Sequence, residues 1–319
     1  MGAHLERNLP SASHARTAEN SGMIYGLLSY ETTNLGDQIQ SIAARQFLPQ
    51  VDVLLNRDAL DLDSAPNGAH RVHAILNGWF LEHPEHWPPH PRIRPLLLSM
   101  HLDTRRARKQ FWRPSAAERM LQPRGRDWLI AHGPVGARDL GTLAFLQCRG
   151  VPSWYSGCLT LTLPETLAER EDVIVACDLP ERYLDRLKQR TRSRVVAVTH
   201  RDLLTSGHAA RMAKAQALLD LYGRARAVVT SRLHCTLPCL AFGTPVLFVP
   251  VVRDRKRQQP AIDLAHSATP AAFLSGRYDF DLDRPPRNPE GWRTLARTLR
   301  KRCLAFLAPS PTLGSGPER

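Results

Sequence analysis

One pattern dominates the chain. A short, nearly uninterrupted run of Val, Ile and Leu is followed by a stretch with helical spacing, then by another apolar run. Residues 23–30 (MIYGLLSY) read as a buried strand, and 37–48 (DQIQSIAARQFL) as a helix with Ile39, Ile42, Ala43 and Phe47 on one face. Runs at 51–55, 71–76 and 95–100 read as further strands, 138–149 as a helix stopped by Gly150, and 151–156 as a strand. Residues 157–171 read as a crossover, after which the pattern restarts. Strands at 172–177, 194–199, 225–230 and 245–249 alternate with helices at 180–190, 208–222 and 233–242. Strands apolar on both faces belong to parallel sheets covered by helices. Two such runs predict an α/β chain of two Rossmann-like, doubly wound domains around a cleft, with ligand at the carboxyl ends of the strands.

The boundaries expected on this basis are a flexible leader over 1–21, an N-terminal domain over 22–165 and a C-terminal domain over 166–288. An amphipathic helix follows over 289–308, then a mobile tail over 309–319. In the helix, Trp292, Leu295, Leu299 and Phe306 share one face, and Arg293, Arg297, Arg300 and Lys301 the other.

Over 319 residues, 43% hydrophobic and 23% charged usage excludes a mainly disordered chain. The 43 Lys+Arg against 30 Asp+Glu leave a formal net charge of +13, which bears on partners rather than fold. Only Lys109, Lys188, Lys214, Lys256 and Lys301 are lysines; the rest are arginines, suited to planar anions, although a GC-rich genome gives the same bias. Cys148, Cys158, Cys177, Cys235, Cys239 and Cys303 form no CxxC pair and no zinc-finger spacing, which reads as a reducing, cytoplasmic setting without disulfides. The leader lacks an apolar segment of secretory type. Residues 235–252 are uncharged, but Pro238, Gly243, Pro245 and Pro250 divide them into a helix, a turn and a strand rather than a membrane span.

Several chemistries lack their signatures. There is no GxxxxGK[ST], no GxGxxG after the first strand, no GxSxG and no HExxH. His83, His86 and His90 have ligand-like spacing only on a helix, which Pro84, Pro88 and Pro89 oppose, so no metal site is assigned. The basic runs 104–113 and 253–257 read first as solvated surface, and no motif supports specific nucleic-acid recognition.

Four segments lie where a doubly wound fold meets its ligand. TTNLGD (32–37) separates the first strand from the first helix; Gly36 permits close backbone approach, and Asp37 is either an N-cap or a cleft carboxylate for a sugar hydroxyl. In SRLH (231–234), Ser231 reads as an N-cap, with Arg232 and His234 in the first turn. An arginine there is electrostatically awkward unless an anion sits beside it. GPVGARD (133–139) sets Arg138 at another helix start. In FGTPV (242–246) the turn is mostly structural, though amides near Thr244 can face a ligand.

Together NLGDQIQSIAARQFL, GPVGARDLGTLAFLQCRG with SGCLTLTLP, and VVTSRLHCTLPCLAFGTPVLFV resemble the polysaccharide pyruvyl transferases, in the family's order and over roughly residues 23–252. The resemblance implies a GT-B-type arrangement, with the acceptor on the N-terminal side and the donor on the C-terminal side. It implies transfer of pyruvate from phosphoenolpyruvate onto two hydroxyls of a cell-surface glycan or lipid-linked saccharide, forming a cyclic ketal and releasing phosphate. The family's Arg-Leu-His motif matches Arg232, Leu233 and His234, its mid-chain arginine Arg138, and its Asn-x-Gly-Asp block Asn34, Gly36 and Asp37. Arg232 and Arg138 are then expected to hold the donor's anions, His234 to be the acid/base and Asp37 to meet the acceptor, with Ser231 and Thr244 nearby. No cofactor is required beyond the donor substrate.

The alternative is a nucleotide-sugar-dependent glycosyltransferase of the same arrangement, against which the basic stretch VVRDRKRQ (251–258) counts. For the last helix, packing back across the domains is preferred over peripheral contact with anionic lipid at the inner membrane face.

Overall fold

The computed structural model describes residues 23–64, 71–106, 112–166, 169–203, 207–251 and 255–308, with side chains in the last stretch from 257. The expected leader and tail, and parts of both basic runs, lie outside the described residues.

Two parallel sheets organise the chain. The first contains β1 (Ile24–Ser29), β2 (Val53–Asn56), β3 (Val72–Phe80), β4 (Ile93–Leu102), β5 (Val135–Ala137) and β6 (Ser153–Tyr155), in the order β2-β1-β3-β4-β5-β6. The second contains β7 (Glu171–Cys177), β8 (Arg194–Val198), β9 (Ala225–Thr230), β10 (Val246–Phe248) and β11 (His266–Ser267), in the order β11-β10-β9-β7-β8. Counted from each sheet's own first strand, the first winds 2-1-3-4-5-6 and the second 2-1-3-4-5. The sequence shows no internal repeat, yet the topology repeats. Each winding has a switch point, between β1 and β3 and between β7 and β9, where loops diverge and leave a crevice.

The helices are α1 (Leu35–Arg45), α2 (Ala116–Met120), α3 (Pro123–His132), α4 (Leu140–Gln147) and α5 (Glu181–Lys188). The remainder are α6 (His208–Arg224), α7 (Leu233–Phe242), α8 (Arg255–Leu264), α9 (Pro270–Ser275) and α10 (Trp292–Leu307). Strand alternation explains why they cover both faces. On one face of the first sheet Tyr25, Leu27, Ile75 and Leu98 join Ile39 and Ala43 of α1; on the other, Leu28, Leu76 and Leu97 meet Met120 and Leu129. A fully buried side chain such as Ile39 contributes about 1.5–3 kcal/mol relative to exposure.

The inner core continues from one sheet to the other through α1, α6 and α7, taking in Val175, Val228, Leu237 and Phe248. The loop after β1 is sewn to the loop after β8. The Leu35 amide donates to the His200 carbonyl at 2.7 Å, and the Asp202 amide to the Thr33 carbonyl at 2.8 Å. Arg211 of α6 donates to the Thr32 carbonyl.

Several local expectations are corrected. β5 and β11 are too short, at three and two residues, to stand out as apolar runs. Residues 157–171 include a buried 3-10 turn at Leu159–Thr162 rather than a plain crossover. The first helix is capped by Asn34, whose side chain accepts from the Gly36 amide. Arg232, not Ser231, is the N-cap of α7, and Ser231 Oγ donates to the Asp178 carbonyl at 2.8 Å. Arg138 precedes α4, whose N-cap is Asp139. The last helix packs its apolar face on the first sheet: Trp292, Leu299 and Cys303 are buried, and Phe306 lies 5.7 Å from the His73 ring. Arg300, expected on the outer face, instead donates to the Thr162 carbonyl at 2.7 Å. No helix among the described residues is long and apolar enough to cross a membrane.

Candidate active site

The carboxyl ends of both sheets surround a cavity of about 560 Å³. The loop after β1 contributes Asn34, and the segment after β4 contributes Arg105. Asp178 follows β7, His200 and Arg201 follow β8, and Ser231 to His234 follow β9. Val251 and, from α8, Arg257 and Gln258 close the wall. Four arginines thus line the cavity against one carboxylate, Asp178, among the described residues.

Asp178 organises the second sheet's switch point. Its backbone is left-handed, at φ 51°. Its carboxylate accepts from Thr199 Oγ1 at 2.6 Å, from the His200 amide at 2.9 Å and from Arg232 Nε at 2.7 Å. Burial raises this acid's pKa, but the hydrogen bonds and Arg232 prevail and hold it below its usual value. Arg232 is therefore held in one pose. Its awkward place at the start of α7 is offset by an internal carboxylate, so the dipole mismatch does not by itself demand an external anion.

His234 lies behind the cavity lip, 5% exposed. A Cβ added to Gly36 would sit 3.0 Å from its Nδ1, so the missing side chain lets α1 approach this imidazole. Arg138 Nη1 lies 3.4 Å from His234 Nε2 and 3.3 Å from Gln40 Oε1. A guanidinium has only donors, so Nε2 must accept and the neutral ring carries its proton on Nδ1. Burial, then Arg138, Arg257, His200 and Arg232, push the His234 pKa well below its ordinary value. So placed, the expected acid/base is a neutral imidazole of reduced basicity.

Arg138 is fully buried and does not line the cavity; its Nε and Nη2 have no hydrogen-bond partner. On its other side lies a dyad the sequence reading missed. His101 Nδ1 is 2.6 Å from Asp139 Oδ2, with both residues buried. Burial and Arg138 lower the His101 pKa despite Asp139. Burial raises Asp139, but the His101 contact prevails and lowers it. Both directions fit a neutral imidazole donating to an ionised carboxylate, which fixes the ring's tautomer. A small recess lined by His101, Asp139 and Thr142 adjoins the main cavity at Arg105.

Arg138, expected to hold a donor anion, is thus outside the cavity lining, and two further expected site residues are elsewhere. Asp37 is 3% exposed and faces inward, accepting from Thr32 Oγ1 at 2.7 Å and Gln40 Nε2 at 3.2 Å. Its place in the first turn of α1 directs it away from the cavity. Thr244 precedes β10 and so lies at the amino ends of the strands, opposite the cavity. It is fully buried, donates to the Tyr222 carbonyl at 2.9 Å and accepts from Arg170. Arg105, Arg257, His200, His101 and Asp139 were not singled out. Arg105 and Arg257 sat inside basic runs that look like solvated surface, and His101 inside an expected strand.

The chain is thus a two-sheet α/β protein with an arginine-lined cavity at the carboxyl ends of its parallel strands and buried histidines beside it. Residues 126–251 match the model of the polysaccharide pyruvyl transferase family, so over that stretch the resemblance read from the sequence is shown. Arg138 and Ser231 to His234 fall inside the match. No curated protein matches the chain.

Among solved structures, a protein of uncharacterised function from Klebsiella pneumoniae subsp. pneumoniae NTUH-K2044 is similar at 10% identity and TM-score 0.39, over 75% of this chain and 87% of that one. UDP-GlcNAc 2-epimerase of Methanocaldococcus jannaschii, in complex with UDP-GlcNAc and UDP, is similar at 7% identity and TM-score 0.40, over 88% and 99%. E. coli heptosyltransferase WaaC with ADP follows at 11% identity and TM-score 0.28, over 88% and 100%. At these scores the architecture is read from the two sheets themselves.

Proposed function

We propose that the protein transfers pyruvate from phosphoenolpyruvate onto two hydroxyls of a saccharide acceptor, forming a cyclic ketal and releasing phosphate. The observation that carries this reading is the charge of the cavity: Arg105, Arg201, Arg232 and Arg257 line it with His234, Asp178 is the one lining carboxylate among the described residues, and Arg105 is also paired with Asp103. Phosphoenolpyruvate bears a phosphate and a carboxylate, and fork-shaped guanidinium groups suit both.

The lowered basicity of His234 then has a purpose. Burial first, and the neighbouring cations second, keep the ring neutral. A polyanionic donor offsets the cations' share of that shift and so favours the ring as the carrier of the proton it delivers. That proton adds to the methylene carbon and leaves an oxocarbenium-like carbon. One acceptor hydroxyl forms the first C–O bond and loses its proton to a base; the C–O bond to phosphate then breaks, and the second hydroxyl forms the second C–O bond as its proton passes to the departing phosphate. In this reading the His101–Asp139 dyad, in the recess beside the cavity, is the base that takes a hydroxyl proton. A nucleotide sugar is the weaker reading, because Arg257 and Gln258 stand on the wall after β10 where a ribose-gripping acid is expected.

The test is phosphate release from phosphoenolpyruvate with and without a panel of glycan acceptors. Release requires an acceptor, and His234→Ala abolishes it while the circular dichroism spectrum stays unchanged. Normal turnover in that variant defeats the assignment.

A further inference from the structure

In and behind the cavity wall lie three side chains that the proposed reaction leaves unused. Cys177 ends β7, His200 follows β8, and Cys235 is in the first turn of α7. All three are fully buried. Their sulfur and imidazole nitrogen atoms lie within 4.8 Å of one another. His200 Nε2 meets the Tyr222 hydroxyl at 2.9 Å, and that hydroxyl lies 3.3 Å from Cys177 Sγ. His200 therefore faces the cluster through Nε2, the nitrogen available to a metal bound among these side chains.

We propose that this cluster is a zinc site, with Cys177 and Cys235 binding as thiolates, His200 through its imidazole and the Tyr222 hydroxyl as the fourth donor. Two sulfurs and a nitrogen disfavour magnesium and calcium, which take oxygen ligands, and suit zinc. Zinc bonds of about 2.3 Å to sulfur and about 2.0 Å to nitrogen draw donors that already lie within 4.8 Å of one another slightly closer together. Burial pushes both thiols far above their ordinary range, so the metal-free cluster holds two thiol protons. Binding one zinc ion releases both and leaves a cluster of net charge zero, which removes the cost of a bare buried ion.

The position gives the ion work that the reaction itself does not require. Cys177 directly precedes Asp178, the carboxylate that holds Arg232. Cys235 directly follows His234. The His200 carbonyl accepts the first amide of α1 at 2.7 Å. Zinc would join the three chain segments that make the cavity floor, as a structural ion behind the site.

The experiment is cobalt substitution in the full chain, stripped with a chelator and kept reduced. One equivalent of Co²⁺ per chain is expected to produce an intense near-ultraviolet thiolate-to-cobalt band with the visible bands of tetrahedral cobalt, both bleached by one equivalent of Zn²⁺. Cys177→Ser and Cys235→Ser each lower the charge-transfer intensity to about half, as one of two thiolates is lost. Cys148→Ser, at the exposed thiol, leaves it unchanged. A folded wild-type chain without a charge-transfer band, or a band that Cys177→Ser and Cys235→Ser leave intact, overturns the proposal. The wild-type spectrum decides even if the serine variants fail to fold, and His200→Gln is the second probe. No step depends on turnover, so the result stands apart from the fate of the transferase reading.

Discussion

Asp178 offers the sharpest perturbation of the site. Its carboxylate accepts three hydrogen bonds of 2.6 to 2.9 Å, one from the Arg232 guanidinium, from a left-handed backbone. A hydrogen bond to a charged group contributes about 1.5–3 kcal/mol and a neutral one about 0.5–1.5 kcal/mol. Asp178→Asn keeps the shape and the tolerance for positive φ but loses the charge, and should cost about 1–2 kcal/mol. Asp178→Ala loses all three bonds at the same strained backbone and should cost about 3–5 kcal/mol. The side chains are 13% and 30% exposed, so the pair with Arg232 is partly screened. A double-mutant cycle with Arg232→Met should therefore return a coupling of about 1 kcal/mol. Urea unfolding with a constant slope measures each quantity. A cost below about 1 kcal/mol for Asp178→Ala, or strict additivity with Arg232→Met, would show that Asp178 does not hold Arg232 in the folded protein.

Three further outcomes follow from single contacts. Gly36→Ala places a methyl 3.0 Å from His234 Nδ1 and 3.1 Å from Asn34 Oδ1, so turnover should fall at least about tenfold with secondary structure retained; an unchanged rate removes Gly36 from the site. Thr244→Val, at the far end of the sheet, should lower stability by about 1–2 kcal/mol and leave donor affinity unchanged, and a shifted donor isotherm contradicts that placement. Burial first, and neighbouring cations second, lower the proton affinity of His73, His101, His208 and His234 below the ordinary 6.5. The unfolded chain then binds more protons as pH falls through 6.5, so the melting temperature should drop between pH 7.5 and 5.5; a flat profile contradicts neutral histidines in the folded state.

The alternation of apolar runs and helical stretches made the two parallel sheets readable, because strands covered on both faces cannot hide their composition. β5 escaped because three residues among glycines carry no period, although it carries Arg138 to its buried place. The motifs placed Asn34 and Ser231 to His234 at the cavity, since a segment after a parallel strand must emerge at its carboxyl end. Phase within a motif was not readable: three residues past Asn34, the helix turns Asp37 into the protein. Strand direction explains Thr244, which precedes its strand instead of following it. Arg105, Arg257 and His101 reach the site from distant segments. Only packing of α1 against α6 and α7, with α8 folded over the edge, brings them together, and no local spacing records that.

The most direct test is calorimetric titration of the wild-type chain with phosphoenolpyruvate and, separately, with a series of nucleotide sugars. The account predicts a one-site isotherm for phosphoenolpyruvate, weakened at least about tenfold by Arg232→Met, and no comparable heat from any nucleotide sugar. Tighter binding of a nucleotide sugar, with phosphoenolpyruvate silent, would contradict it.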